Sequence, residues 1–479
     1  MKKNKLTTAV IAGLAGVAGV ASVGNAVHVN PEGTGQVLIY PYYSLHNGLN
    51  TTYSVVNTTE AVKAIKVRFL EGKNSREVLD FNVYLSEYDV WTGVIGPWTS
   101  NIANGYLNHA GEDSGAHASS DNSCAPRLNK SLQEFLPYEI EKDFLLTNDP
   151  STADLVRSRE GHFEVLEMGE VIGAHGAAAT HTSSGVPLDC GFLEDSWNAG
   201  AWAVNPNTDM EPATGGLFGA ASIVGVEEGF NVSYDAVALQ DFWPEGSFNH
   251  TNPGSLSPNI ADGTTNSVVF NDGVALSSSW ISGAQAVSAV FMRDEVYNEY
   301  NFESDVEGKS QWVVTFPTKY FHVNGTTIPP FTSQWDGYKA CETFTINVWD
   351  REEKFNTTQG GISPPPPGGS DPQLCYEANT IEFRPPGGVV GDYNFLGANN
   401  LTSVEGVSGG TANGWARVNF KNPANVMVPA NGTPYVGLPV AGFMVQRFTN
   451  NNAQPGLLAQ YGGLFNHKGR VNSALPTQP

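Results

Sequence analysis

The chain has 479 residues, with 48 Asp+Glu against 25 Lys+Arg and a formal charge of −23 at neutral pH. Nucleic acid and anionic lipid headgroups bind through counter-charge, so that surplus excludes charge-driven binding to either. Hydrophobic residues at 40% suffice for a core, and 52 Gly with 29 Pro suit many tight turns between short strands.

The first residues, Met1-Lys2-Lys3-Asn4-Lys5, are basic, and an uncharged stretch from Leu6 leads to Gly24-Asn25-Ala26. That order predicts a secretory signal peptide over residues 1–26, cleaved after Ala26. Its three lysines leave with it, so the remaining chain is more acidic still. No other segment is long and apolar enough for a transmembrane helix. No lipobox Cys follows the signal. The implied location is the cell surface or the medium, with the periplasm as the alternative. Cys124, Cys190, Cys341 and Cys375 lie in no close pair, and an oxidising compartment predicts two disulfides. Proximity favours Cys124–Cys190 and Cys341–Cys375, although three pairings are open.

Residues 27–100 hold the clearest local pattern. Gln36–Tyr43 and Asn50–Val56 are rich in β-formers. In Val62–Leu70, Ile65, Val67 and Phe69 share one face, with Lys66 and Arg68 opposite. Leu79, Phe81, Val83 and Leu85 repeat that alternation after a Gly-containing turn, which predicts a hairpin. Several short strands at this spacing predict an immunoglobulin-like β-sandwich. Residues 101–160 read as a loop-rich insertion pinned by Cys124. Residues 161–467 carry recurrent strand candidates, so the expected fold is all-β: the first sandwich followed by a larger β-rich sandwich region. Residues 468–479 read as a polar tail. Pro364 to Pro367 reads as part of a surface loop closed by a disulfide.

No catalytic motif stands out. Gly406-Val407-Ser408-Gly409-Gly410 lacks the acidic residue of a serine-protease loop and reads as a glycine-rich turn. His162, His175 and His181 lie near Glu164, Glu167 and Glu170, but without HExxH spacing they read as polar positions, and metal ligands stay unknown. Glu303-Ser304-Asp305-Val306-Glu307-Gly308 begins like a calcium loop, yet its twelfth position is Val314. A structural calcium elsewhere is the one cofactor that the acidity admits. Asp350-Arg351-Glu352-Glu353 reads as a turn after a strand. Among ten tryptophans, Trp312 and Trp349 lie inside strand-like runs and read as core. Trp91, Trp98, Trp197, Trp202 and Trp243 lie nearer loops and are the candidate ligand contacts, since indole faces stack on sugars.

Val62–Phe69 with Asn74–Phe81, and Trp312–Lys319, are similar to segments in a group of uncharacterised exported β-rich proteins of Gram-negative bacteria. The likeness extends to Gly437-Leu438-Pro439-Val440. It implies export and carries no activity and no functional residues. The first expectation for function is therefore a non-enzymatic surface or extracellular structural or adhesive protein that self-associates or meets extracellular polysaccharide. A carbohydrate- or ligand-binding module is the alternative, and a secreted hydrolase the third.

Overall fold

The computed structural model describes residues 25–356 and 372–473. The signal segment before Asn25, the Pro364–Pro367 run and residues 474–479 lie outside them. The N-terminal half is built from β1 (His28–Val29), β2 (Val37–Ser44), β3 (Asn50–Asn57), β4 (Val62–Glu71), β5 (Glu77–Leu85), β6 (Val90–Thr99) and β7 (Asp113–Ala118). It continues through β8 (Gln133–Glu134), β9 (Glu160–Val171), β10 (Met210–Glu211), β11 (Leu217–Gly225), β12 (Phe230–Asp235) and β13 (Val237–Gln240). A seven-stranded sheet runs β1-β13-β2-β9-β4-β5, with β10 beside β9. A six-stranded sheet runs β12-β11-β3-β6-β7-β8.

Period-two alternation makes these sheets face each other. Ile65, Val67, Phe69, Phe81, Phe163 and Val165 point from the first sheet onto Tyr53, Val55, Trp91, Ile95 and Ile223 of the second. Each such apolar side chain contributes about 1.5–3 kcal/mol by leaving water. The β4–β5 hairpin pairs Val67 with Phe81 across the predicted turn.

The opposite face of β4 does not meet water. Lys66 on that face is fully buried and Arg68 nearly so, and Lys63, at the end of the Ile65 face, is fully buried as well. Each has carboxylate partners: Lys63 with Glu167 at 2.7 Å and Glu170 at 3.0 Å, Lys66 with Asp80 at 2.7 Å, and Arg68 with Glu77 at 2.6 Å and with Glu164. Later chain covers this face, as Asn252 and Ser255 carbonyls accepting from Lys66 demonstrate. Alternation reports which face is apolar, and it does not report what packs over the other.

Two parts of the expected fold need correction. The first sandwich is not an immunoglobulin-like unit complete near residue 100: β9, β11, β12 and β13 sit inside its sheets, between strands of residues 28–99 or on their edges. No larger single sandwich follows it either. After Gln240 the described strands divide among six separate sheets. One five-stranded sheet orders Phe355–Asn356, Thr345–Asp350, Asn413–Asn419, Glu295–Asn301 and Lys468–Arg470. Another orders Leu401–Glu405, Ala378–Arg384, Lys309–Thr315, Ala441–Gln454 and Leu457–Asn466. Val296, Ile346, Val348, Ala416 and Val418 of the former share a core with Trp312, Val314, Ile381, Phe383 and Met444 of the latter. A three-stranded and three two-stranded sheets complete the fold. Lys468–Arg470, at the start of the expected tail, is an edge strand here.

Both disulfides form, Cys124–Cys190 and Cys341–Cys375. The halves are joined by polar contacts as well as by packing. Trp335 Nε1 donates to Asp143, and the Asn399 and Asn400 N–H groups donate to Glu160. No described helix is long and apolar enough to cross a membrane.

Candidate functional site: an aromatic slot

In Thr345–Asp350, Ile346 and Val348 point into the core, so Trp349 has the opposite parity and lies on the outer face. In Asn413–Asn419, Ala416 and Val418 are buried, which turns Trp415 and Arg417 outward. The strands pair Trp349 with Trp415, and Trp349 also pairs with Phe355 on the other side. The indoles stack, with centroids 4.2 Å apart and planes 8° from parallel. Phe355 extends the stack at 6.1 Å and 16°. The Arg417 guanidinium sits 5.3 Å from the Trp349 ring centre. Trp415 is 40% exposed and Phe355 56%. An apolar stack left in water on a flat sheet face is a candidate binding surface.

Trp349 covers one side of Trp415. On the other side lies its cross-strand neighbour Glu299. There a cavity of about 530 Å³ opens, lined by Trp415 and Phe465 among others. Tyr297, Asn298 and Glu299 line it from one strand, and Asn466 and Lys468 from the chain that follows Phe465. Asn298 Nδ2 donates to the Phe465 carbonyl at 2.9 Å, which ties the two sides together. The slot therefore offers three aromatic side chains, Tyr297, Trp415 and Phe465, beside Leu464 and a mixed set of donors and acceptors. Such a volume is typical of a small-ligand site.

The tryptophans chosen from loop proximity lie elsewhere. Trp91 is buried in the first sandwich, and its Nε1 donates to the Tyr53 hydroxyl at 3.0 Å. Trp197 and Trp202 are buried together, 5.2 Å apart, beside Tyr84 and His250. Trp243 is buried, with Nε1 donating to the Glu167 carbonyl at 2.7 Å. Trp98 is half-buried on β6. Of the two expected in the core, Trp312 is fully buried, whereas Trp349 lies on the outer face.

The acids and histidines sort similarly. His162 is buried, which pushes its pKa down to about 3, and Glu164 is paired with Arg68. His181 stands 3.8 Å from Asp89. Among the described residues, no group of three or more His, Cys, Asp or Glu is placed to hold a metal ion. Glu303 to Gly308 forms an exposed turn, and Gly406 to Gly410 a tight loop closed by Gly410 N–H on the Val407 carbonyl. Asp350 is buried and accepts the Glu352, Lys354 and Thr411 N–H groups, organising the turn that follows it.

One constellation emerged that sequence spacing did not reveal. His175 Nδ1 lies 2.8 Å from Asp209 Oδ2, and its Nε2 lies 2.9 Å from Ser196 Oγ. That is the order of orienting acid, base and nucleophile. His175 and Ser196 are each 3% exposed, and the imidazole is covered by Trp202 at 4.2 Å and Phe192 at 4.9 Å. Ser196 Oγ also accepts the Trp202 N–H. These contacts pack helix Cys190–Asn198 against helix Gly173–Ala179. A second cavity, of about 190 Å³, lies over the Arg68–Glu77 pair, and Arg68 is already held by two carboxylates there.

No family model matches the chain, and no curated protein or solved structure is detectably similar to it.

Proposed function

We propose that this chain is an exported, non-enzymatic binding protein that holds polysaccharide in the slot between Trp415 and Phe465, and so serves adhesion to extracellular matrix. The observation that carries the reading is the outward Phe355–Trp349–Trp415 stack ending at a mostly apolar cavity with a few polar side chains, Asn298, Glu299, Asn466 and Lys468. Sugar rings offer C–H faces to aromatic rings and a rim of hydroxyls to polar side chains, and the slot supplies both partners. The basic n-region and apolar stretch of the sequence support export.

Affinity electrophoresis through gels containing single polysaccharides tests this. The wild-type chain is retarded in at least one gel, and Trp415→Ala runs there as in an empty gel. Equal retardation of the two proteins in every gel that retards the wild type contradicts the slot as the binding site. A hydrolase reading rests on Asp209, His175 and Ser196, and the burial of Ser196 opposes it. Labelling of Ser196 by a serine-directed fluorophosphonate would favour it.

A further inference from the structure

A cavity of about 300 Å³ between the two halves adjoins the slot, and both are lined by Asn466 and Lys468. Arg293 also lines it. Buried and half-buried guanidinium groups elsewhere in this acidic protein have carboxylates: Arg68, Arg76, Arg157 and Arg417 all do. Among the described residues Arg293 has none. Its one hydrogen bond runs from Nη1 to its neighbour's carbonyl, Met292 O, at 2.7 Å.

The nearby acids are already engaged. Asp294 takes Arg470 at 3.2 Å, and Glu295 takes Lys421 at 2.5 Å. Lys468 likewise has no carboxylate among the described residues. Its neighbour His467 adds no charge, because burial pushes its pKa down to about 4. Asp235, the acid lining the cavity, makes no ion pair with Arg293. Burial depresses the Arg293 pKa without an opposing charge to restore it. Gly469 keeps the place open, since a Cβ there would meet Arg293 Cδ at 2.8 Å and Nε at 3.2 Å. A half-buried cation without a counter-ion loses part of its hydration uncompensated, and the planar guanidinium fork matches a carboxylate.

We propose that the polysaccharide is acidic, and that Arg293, with Lys468 beside it, takes a sugar carboxylate in this cavity while a ring several units further along the same chain stacks on Trp415. This rests on the slot reading and names its ligand class as uronic-acid polymers; the formal charge of −23 repels such a polyanion at long range, so the attraction is local to Arg293 and Lys468, and moderate salt, which screens the repulsion, does not abolish binding. The free protein is then a site waiting for an anion, so replacing Arg293 by a neutral side chain of similar volume relieves an uncompensated charge.

The test uses alginate, polygalacturonate and hyaluronate beside their carboxyl-reduced forms, which keep the linkage and lose the charge. Calorimetric titration of the full chain should give at least tenfold tighter binding of one acidic polymer than of its reduced form. Arg293→Met should abolish that preference and raise the midpoint of thermal unfolding of the free protein. Trp415→Ala should weaken both forms. Equal affinity for acidic and reduced forms, with Trp415 still required, overturns the acidic ligand and leaves the slot reading standing. Absence of binding to any polymer overturns both. Monomeric glucuronate binding as tightly as polymer, through Arg293 but without Trp415, overturns the joint site and marks the cavity as one for free carboxylates. A lower unfolding midpoint for Arg293→Met overturns the claim that Arg293 is unsatisfied.

Discussion

Arg157→Met removes the centre of the most extensively paired buried ion cluster in the N-terminal half. Arg157 meets Glu71 through Nε and Nη2, both at 2.7 Å, and Asp143 through Nη1 at 2.9 Å. Removing one partner of a buried pair costs about 3–5 kcal/mol, because the other charge stays behind. Glu71 would keep the N–H groups of Lys73, Asn74 and Arg76, and Asp143 would keep Arg76 and Trp335. Those survivors place the loss at the low end, about 3 kcal/mol. Burial alone would raise the Glu71 carboxyl, but Arg157 and the backbone donors outweigh it and hold it below its ordinary range. Such a group gives stability above its unfolded pKa that is lost as pH falls through the folded value. Without Arg157, burial raises the Glu71 carboxyl above its unfolded value of about 4.3, so the ionised form destabilises at neutral pH and protonation relieves it as pH falls through the raised value toward 4.3. Urea unfolding should therefore show the widest gap between wild type and variant at pH 7 and a narrower one at pH 4. A loss under about 1 kcal/mol at pH 7, or an equal gap at both pH values, would refute the reasoning.

Other substitutions probe separate parts of the structure. Burial raises Glu160 to about 7. A carboxyl with a raised folded pKa contributes stability below its unfolded value and loses it by about 1.4 kcal/mol per pH unit up to the folded one. Glu160→Gln should thus flatten the fall in stability between pH 5 and 7 in urea titrations, and an unchanged slope would contradict the assignment. Cys124→Ser with Cys190→Ser opens a loop with a sequence separation of 66. The expected loss is about 2–4 kcal/mol by denaturant unfolding. Trp415→Ala should cost only about 1 kcal/mol of stability, the scale of one aromatic stack, so a binding defect in it is not a folding defect. Ser196→Ala should lower stability by about 1 kcal/mol and leave fluorophosphonate labelling unchanged; labelling lost in the variant would reassign the cluster to catalysis.

Much of the first sandwich was readable as alternation. Ile65, Val67, Phe69 and Phe81 announced one buried face and a hairpin. The partners of that hairpin were not readable, because β9 enters between β2 and β4 from far along the chain and no local pattern encodes such pairing. The charges of Lys66 and Arg68 suggested a solvated face, whereas distant carboxylates and later loops bury them. Distance from predicted strands was a poor guide to the tryptophans: Trp91, Trp197, Trp202 and Trp243 are anchored in cores by indole N–H bonds or ring contacts. The useful signal was parity. Trp349 has the opposite parity to Ile346 and Val348, and Trp415 to Ala416 and Val418, a pattern that the reading of Trp349 as core overlooked. The unpaired state of Arg293 had no sequence signature, since it depends on which acids the fold has already engaged.

The most direct measurement is a calorimetric comparison of the wild-type chain and Trp415→Ala against one polysaccharide that retards the wild type. The account predicts at least a tenfold loss of affinity with the unfolding midpoint nearly unchanged, reproduced by Phe465→Ala in the same slot lining. Full affinity in both variants would contradict it, because the ligand would then lie somewhere other than the slot.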